Sequence, residues 1–450
     1  MNLKKFFMTA FTAVMTFSYI GSVNVFAEEG LMNPDETLTD GNFTYELVNG
    51  SYTIVGCDAN SIINSIPSMR NGYAVTAIGD GAFIGCSGIS ELKIPDTVRS
   101  IGMNAFAGCT SLKKITIPEN VTEISSCAFM RCTSLSEVSL PDTLTTIGNY
   151  AFAQCTSLES IKLPESLTTI NPEAFTDCWS LKEFDASDCP SFVSEDGILM
   201  NSSKSEIYRG SVELKGDLYI DNNITVIKPG AFSGCTEIES LFVPSSVSTI
   251  GADAFSNCTS LKKIDLEQGL SILEAGAFMY CSALETVSIP LTVTDIAEET
   301  FAFCMALNKV IIPEGVTSIG ESAFLGCENL TKINIPKSVQ TVGDNSFGYT
   351  TSEDGYKKTE DFSMGVYSGS SALKYAKENG IDYTVADRNI KQMAFIIIAV
   401  GVVIAVAVFA VILMMRNKKG APADVRKARK IEEQQQAEDS YEGIIDDDKQ

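Results

Sequence analysis

The 450-residue chain contains no histidine. A Ser-His-Asp triad, a Cys-His dyad and an HExxH zinc site each need an imidazole, so all three are excluded. There is also no CxxC pair of the kind that redox and zinc sites use, although 13 cysteines are present. A glycine-rich phosphate loop, a calcium-loop motif and a basic stripe are missing as well. Positive charge is scarce: 33 Lys and Arg stand against 57 Asp and Glu, giving a net charge of −24. Such a surface repels a phosphate backbone, so nucleic acid is not an expected partner. Carboxylates are plentiful, but spacing alone does not place two of them across a pocket. We therefore expect a chain that is not an enzyme and carries no cofactor or metal. Its 45% hydrophobic and 20% charged residues are those of a folded protein.

Two segments concern targeting. Residues 1–27 open with Lys4 and Lys5, run apolar from Phe6 to Ile20 and end Val25-Phe26-Ala27. That is the layout of a secretory signal peptide cleaved before Glu28. Residues 393–415 form an uncharged run, MAFIIIAVGVVIAVAVFAVILMM. As a helix it would measure about 35 Å, enough to cross a bilayer core of about 30 Å. Arg416, Lys418 and Lys419 follow at once, and the positive-inside rule then puts the tail at 416–450 in the cytoplasm. The expectation is a single-pass plasma-membrane protein with its bulk extracellular. The tail reads as a short basic helix followed by a disordered acidic end.

Between these segments lies a repeat. Cys86, Cys109, Cys132, Cys155 and Cys178 are 23 residues apart, as are Cys235, Cys258, Cys281, Cys304 and Cys327. A phenylalanine stands three residues before each, from Phe83 to Phe175 and from Phe232 to Phe324. In the unit 101–123, Leu112, Ile115 and Ile117 mark an LxxLxL strand, with Ile115 and Ile117 inward and Lys114 and Thr116 outward. Pro118 lacks an amide donor and closes the strand. Gly102 and the Ala105-Phe106 pair mark the return, expected as a turn or short helix. A single coil cannot bury its apolar side, so coils must stack.

The pattern resembles the BspA-like bacterial leucine-rich repeats, IGxxAFxxCxxLxxIxIPxxVxx. It stands here as IGMNAFAGCTSLKKITIPENVTE at 101–123 and IGNYAFAQCTSLESIKLPESLTT at 147–169. The resemblance extends over about residues 43–385. Phe43-Thr44-Tyr45 through Tyr73-Ala74-Val75 is similar to the family's N-terminal cap, and Gly369 to Ala376 to its C-terminal one. It implies surface adhesion or ligand binding with no common chemistry. The expected organisation is a signal peptide (1–27), N-terminal cap (28–77), repeats (78–192), a degenerate coil with a hairpin insert (193–226), repeats (227–348), C-terminal cap (349–388), transmembrane helix (393–415) and cytoplasmic tail (416–450). The insert accounts for the 57 residues between Cys178 and Cys235, two periods and 11 more.

Neighbouring thiols in the column would stand about 4.8 Å apart with parallel Cβ bonds. A disulfide needs Cβ atoms about 3.8 Å apart and turned together. We therefore expect buried free thiols acting as small hydrophobes, an occasional bridge being the alternative. The variable outward strand positions are the better candidate ligand surface. Those before the insert are Lys114, Glu137, Lys162 and Glu183. Those after it are Phe242, Lys263, Lys309, Ile311 and Lys332. Phe242 and Ile311 are apolar where solvent is expected and lie three coils, about 14 Å, apart. No aromatic column stands on this face to stack sugars or bases. The expected function is a non-catalytic cell-surface adhesion protein, with a protein or glycan ligand on host or neighbouring cells. A receptor signalling through its tail and a structural envelope spacer are the alternatives.

Overall fold

A computed structural model describes residues 37–59, 61–353 and 355–388. Each coil of the repeat contains two strands. In the coil ending at Ile124, the front strand is Lys114–Thr116, with Ile115 buried and its neighbours exposed. Pro118 then opens a turn closed by the Val121 amide on its carbonyl (3.0 Å), and Glu123–Ile124 forms a second, two-residue strand. Both strands pair in parallel with those of the next coil: Lys114 lies beside Glu137, and Ile124 beside Ile147. A 23-residue period returns the same residue type to the same place, so the sequence repeat becomes a ladder.

The return from second strand to front strand is built of turns, and among the described coils only Pro172–Phe175 forms a 3-10 helix. Each return uses left-handed backbone, at Asn104, Tyr150, Arg131 and Gln154 among others (φ +54° to +63°). Such conformations cost a non-glycine residue about 1–2 kcal/mol. Inter-coil hydrogen bonds hold them: Phe106 N donates to Ala128 O (2.8 Å) and Gly108 N to Met130 O (2.7 Å).

The core is a set of columns. Phe106, Phe129 and Phe152 stack with centroids 5.2 and 5.4 Å apart and planes within 5°. A second run continues from Phe232 to Phe347. All 13 cysteines are free. In the regular coils the column Sγ donates to the phenylalanine carbonyl 26 residues earlier, as Cys132 to Phe106 O (3.2 Å) and Cys304 to Phe278 O (3.2 Å), whereas Cys235, after the insert, donates to Ser211 O (3.4 Å). Phe106 O already accepts the Cys109 amide, so the thiol takes the second lone pair. A valine would fill the space but leave that lone pair unused.

The largest departure from the repeat lies between Cys178 and Cys235. On the second-strand side, Phe192–Glu195, Ile198–Asn201 and Glu206–Gly210 pair antiparallel before parallel order resumes at Val226–Ile227. Here Arg209 and Gly210 stand where other coils have Ala-Phe. A Cβ on Gly210 would lie 2.5 Å from the Phe232 ring, so the stack cannot continue through this coil. Phe175 meets Phe184 edge-on instead. The buried Arg209 guanidinium donates to Gly230 O and, at 2.9 Å, to Ser233 O. In regular coils, carbonyls equivalent to Ser233 O accept a main-chain amide from the preceding return, so the arginine stands in for the missing turn.

The ends are covered. Phe43–Val48 and Ser51–Cys57 pair antiparallel, and the latter joins the second-strand sheet through Tyr73–Ile78. At the other end the helix Ser371–Glu378, N-capped by Ser370, buries Ala372, Tyr375 and Ala376. The Tyr375 hydroxyl accepts from Phe347 N (3.0 Å) and donates to Phe347 O (3.1 Å). Among the described residues, the repeats and this helix belong to one compact unit, 37–365 with 370–383, and 366–369 with 384–388 belong to a smaller one.

The transmembrane helix expected in the fold is corrected: no helix among the described residues is long and apolar enough to cross a membrane. The α-helix Ser371–Glu378 has eight residues, about 12 Å, and carries Lys374, Lys377 and Glu378. Residues 393–415 themselves lie outside the described residues, as do the signal segment 1–27 and the tail 416–450.

Candidate ligand-binding surface

Alternation along each front strand sends one residue to the core and its neighbours to solvent, and the parallel register aligns those neighbours in two rows. The candidate residues occupy these rows, but on separate sheets. Lys114 and Glu137 are paired neighbours in the sheet 91–93, 114–116, 137–139, and form an ion pair. Lys162 and Glu183 lie in the pair Ser160–Lys162 and Glu183–Asp185; Lys162 binds Asp188 at 2.7 Å. Phe242, Lys263, Lys309 and Ile311 share a five-stranded sheet running from Lys215–Tyr219 to Lys309–Ile311. Lys332 stands on Lys332–Asn334, beside Ser363–Val366. These ion pairs are exposed and screened by solvent, so they add little to the stability of the fold.

Within the five-stranded sheet the structure adds a residue absent from the sequence-based set. Tyr219 pairs with Phe242 in register, and the rings stack at 4.5 Å with planes 4° apart. The Lys263 ammonium covers the Phe242 ring at 5.2 Å. Phe242 is thus half-buried between a tyrosine and a lysine, while Tyr219 is 66% exposed and Ile311 48% exposed. Adjacent front strands elsewhere lie side by side, but Glu183–Asp185 and Lys215–Tyr219 do not; each is the edge of its own sheet. Tyr219 therefore stands at a gap in the front face. The sequence does carry its signal: Leu218-Tyr219-Ile220 followed by Ile224 fits the end of the repeat, with Asp221 for proline. Tyr219 stands 23 residues before Phe242, in the frame of the repeat; the one-residue bulge at Gly216/Asp217, where Gly216 supplies left-handed backbone (φ +72°), shifts only the strand residues before it.

Around this gap the serine amide and hydroxyl of Ser187, both donating to Asp185, hold its carboxyl below the usual carboxylate range. Among the returns on either side of the insert, a cavity of about 20 Å³ is lined by Tyr150, Glu173, Asp177 and Asp253 among others, room for about one water molecule. Burial, with Asp177, Glu299 and Glu173 adding repulsion, pushes the Asp253 carboxyl up to about 7. Asp177 is also raised by burial, and one of its oxygens has no partner among the described residues. No group of three Cys, Asp or Glu side chains among the described residues is arranged to hold a metal ion. Burial raises the column thiols, Cys132 to about 12, so they are neutral and unreactive at pH 7.

Parallel coils with an inward LxxLxL strand define a leucine-rich-repeat solenoid. The chain belongs to the BspA-type leucine rich repeat family, whose model matches in six copies over residues 76–197 and 225–354. Among solved structures it is similar to a leucine rich cell surface protein from Faecalibacterium prausnitzii A2-165. That protein is 28% identical, matched over 71% of this chain and 96% of its own, with a TM-score of 0.50. The pneumococcal vaccine antigen PcpA shares the fold at 18% identity, over 78% of this chain and 98% of its own, with a TM-score of 0.55. No curated protein matches the chain.

Proposed function

We propose that this chain is a non-catalytic binding protein, displayed outside the cell, that adheres to a protein or glycan on host or neighbouring cells through its front strand face. One observation carries this reading: Tyr219, Phe242 and Ile311 lie in one row of a single sheet, on the solvent side, where they contribute nothing to the core columns. Exposed aromatic and aliphatic groups set among charges are the usual anchors of protein interfaces. Display outside the cell is supported by the signal-like segment 1–27 and by similarity to a protein described as a cell surface protein.

The test is attachment of beads carrying the full chain to a host-cell monolayer. The variant combines Phe242→Asp, Lys309→Glu and Lys332→Glu, all outward positions, with its melting temperature checked against the parent. Attachment is expected to fall at least tenfold. Equal attachment by parent and variant would refute the assignment to this face.

A further inference from the structure

We propose that the open ring face of Tyr219 seats a cationic side chain, lysine or arginine, of a polypeptide partner, in the gap between the two unpaired front-strand edges. This deepens the surface-binding reading above and rests on it.

The first support is geometric. Phe242 covers one face of Tyr219 and lies on the following strand, so the other face looks away from that strand. On that side Lys215–Tyr219 has no strand neighbour. The 66% exposure of Tyr219 agrees with one covered and one open face. Strand register and stacking fix the ring before any partner arrives, so little side-chain freedom is lost on binding.

The second support is charge. The edges flanking the gap present Glu183 and Asp185 on one side and Asp217 on the other, all at least partly exposed. No lysine or arginine among the described residues forms an ion pair with these three. The nearby lysines are already engaged, Lys162 by Asp188 (2.7 Å) and Lys182 by Glu159 (3.4 Å). Lys215 alone opposes them on these edges. An aromatic face beside carboxylates that form no ion pair suits a guanidinium or ammonium, which stacks on the ring and hydrogen-bonds the free oxygens. A neutral sugar would use the ring and leave the carboxylates idle; an anion would be repelled. The fold already uses the same contact at Lys263 over Phe242 (5.2 Å) and Lys228 over Tyr208 (5.6 Å).

The experiment is calorimetric titration of the full chain with a deca-arginine peptide and, separately, with maltoheptaose. Tyr219→Ala is expected to weaken deca-arginine binding about five- to thirtyfold, the range of a cation–π contact, and Tyr219→Phe to preserve it. Glu183→Gln with Asp217→Asn should weaken it more than the equally charged control Glu119→Gln with Glu165→Gln, two exposed turn positions. Unchanged binding by Tyr219→Ala overturns the proposal. So does equal loss in both carboxylate pairs, which would mean general attraction to an acidic chain. Tyrosine-dependent binding of maltoheptaose alone would assign the platform to glycans and equally overturn it. Failure here with adhesion still lost in the Phe242/Lys309/Lys332 variant sinks only this proposal. Unchanged adhesion in that variant sinks the surface reading itself.

Discussion

The residues that recur in this chain are explained by packing. A stacked phenylalanine such as Phe152 fills a column with no free volume, and its removal leaves a hole between two coils. Phe152→Ala should cost about 3–5 kcal/mol of unfolding free energy, measured by urea denaturation. The neighbouring thiols add a weak hydrogen bond to a second lone pair and are shielded from solvent. With 5,5′-dithiobis(2-nitrobenzoate) at pH 7, no thiol should react rapidly in the native protein, since burial pushes even the half-buried Cys57 up to about 12, and all should appear on denaturation; rapid labelling of several native thiols would contradict this. The phenylalanine and cysteine columns were legible in the sequence because an inward position tolerates few residue types. Their hydrogen bonding was not, because it joins residues 26 apart through the fold.

At the scale of the element, the interrupted coil departs most from what the sequence indicates. An insert near 193–226 was readable from the broken period. That Arg209 replaces a whole turn was not, since an arginine in a degenerate segment gives no sign of being buried. Arg209→Met should lower stability by about 3 kcal/mol or more, because Gly230 O and Ser233 O lose a charged donor and Asp177 a nearby cation. Asp253 gives the same region a pH dependence. Its folded value, about 7, lies above the unfolded value near 3.9. The folded state therefore holds this proton more tightly, and stability from it, full at low pH, is lost as pH rises from about 4 through 7. Asp253→Asn should raise the melting temperature at pH 8 and change it little at pH 4. Equal effects at both would assign the raised pKa no role. Tyr219 shows the other limit of sequence: it stands in frame, 23 residues before Phe242, but in a coil that lacks the phenylalanine and cysteine markers, which hides half of an aromatic pair whose other half, Phe242, was visible.

For the solenoid as a whole, stability is a sum of coil energies and nearest-neighbour contacts. Both sheets and the phenylalanine stack are interrupted at the insert, so coupling between coils is weakest there. Phe129→Ala should therefore lower hydrogen-exchange protection in residues 78–185 far more than in 249–342; a uniform loss would mean that the interruption transmits coupling fully. The repeat architecture was legible at this scale, and the helical span at 393–415 was not supported by any described helix. The claim that the front face is the binding surface is tested most directly by lysine acetylation of the full chain, free and bound to a host-cell monolayer, analysed by mass spectrometry. Protection of Lys263, Lys309 and Lys332 is expected, with Lys374 and Lys377 on the terminal helix labelled equally in both states. Protection of the helix lysines with the three front-face lysines unchanged would contradict it.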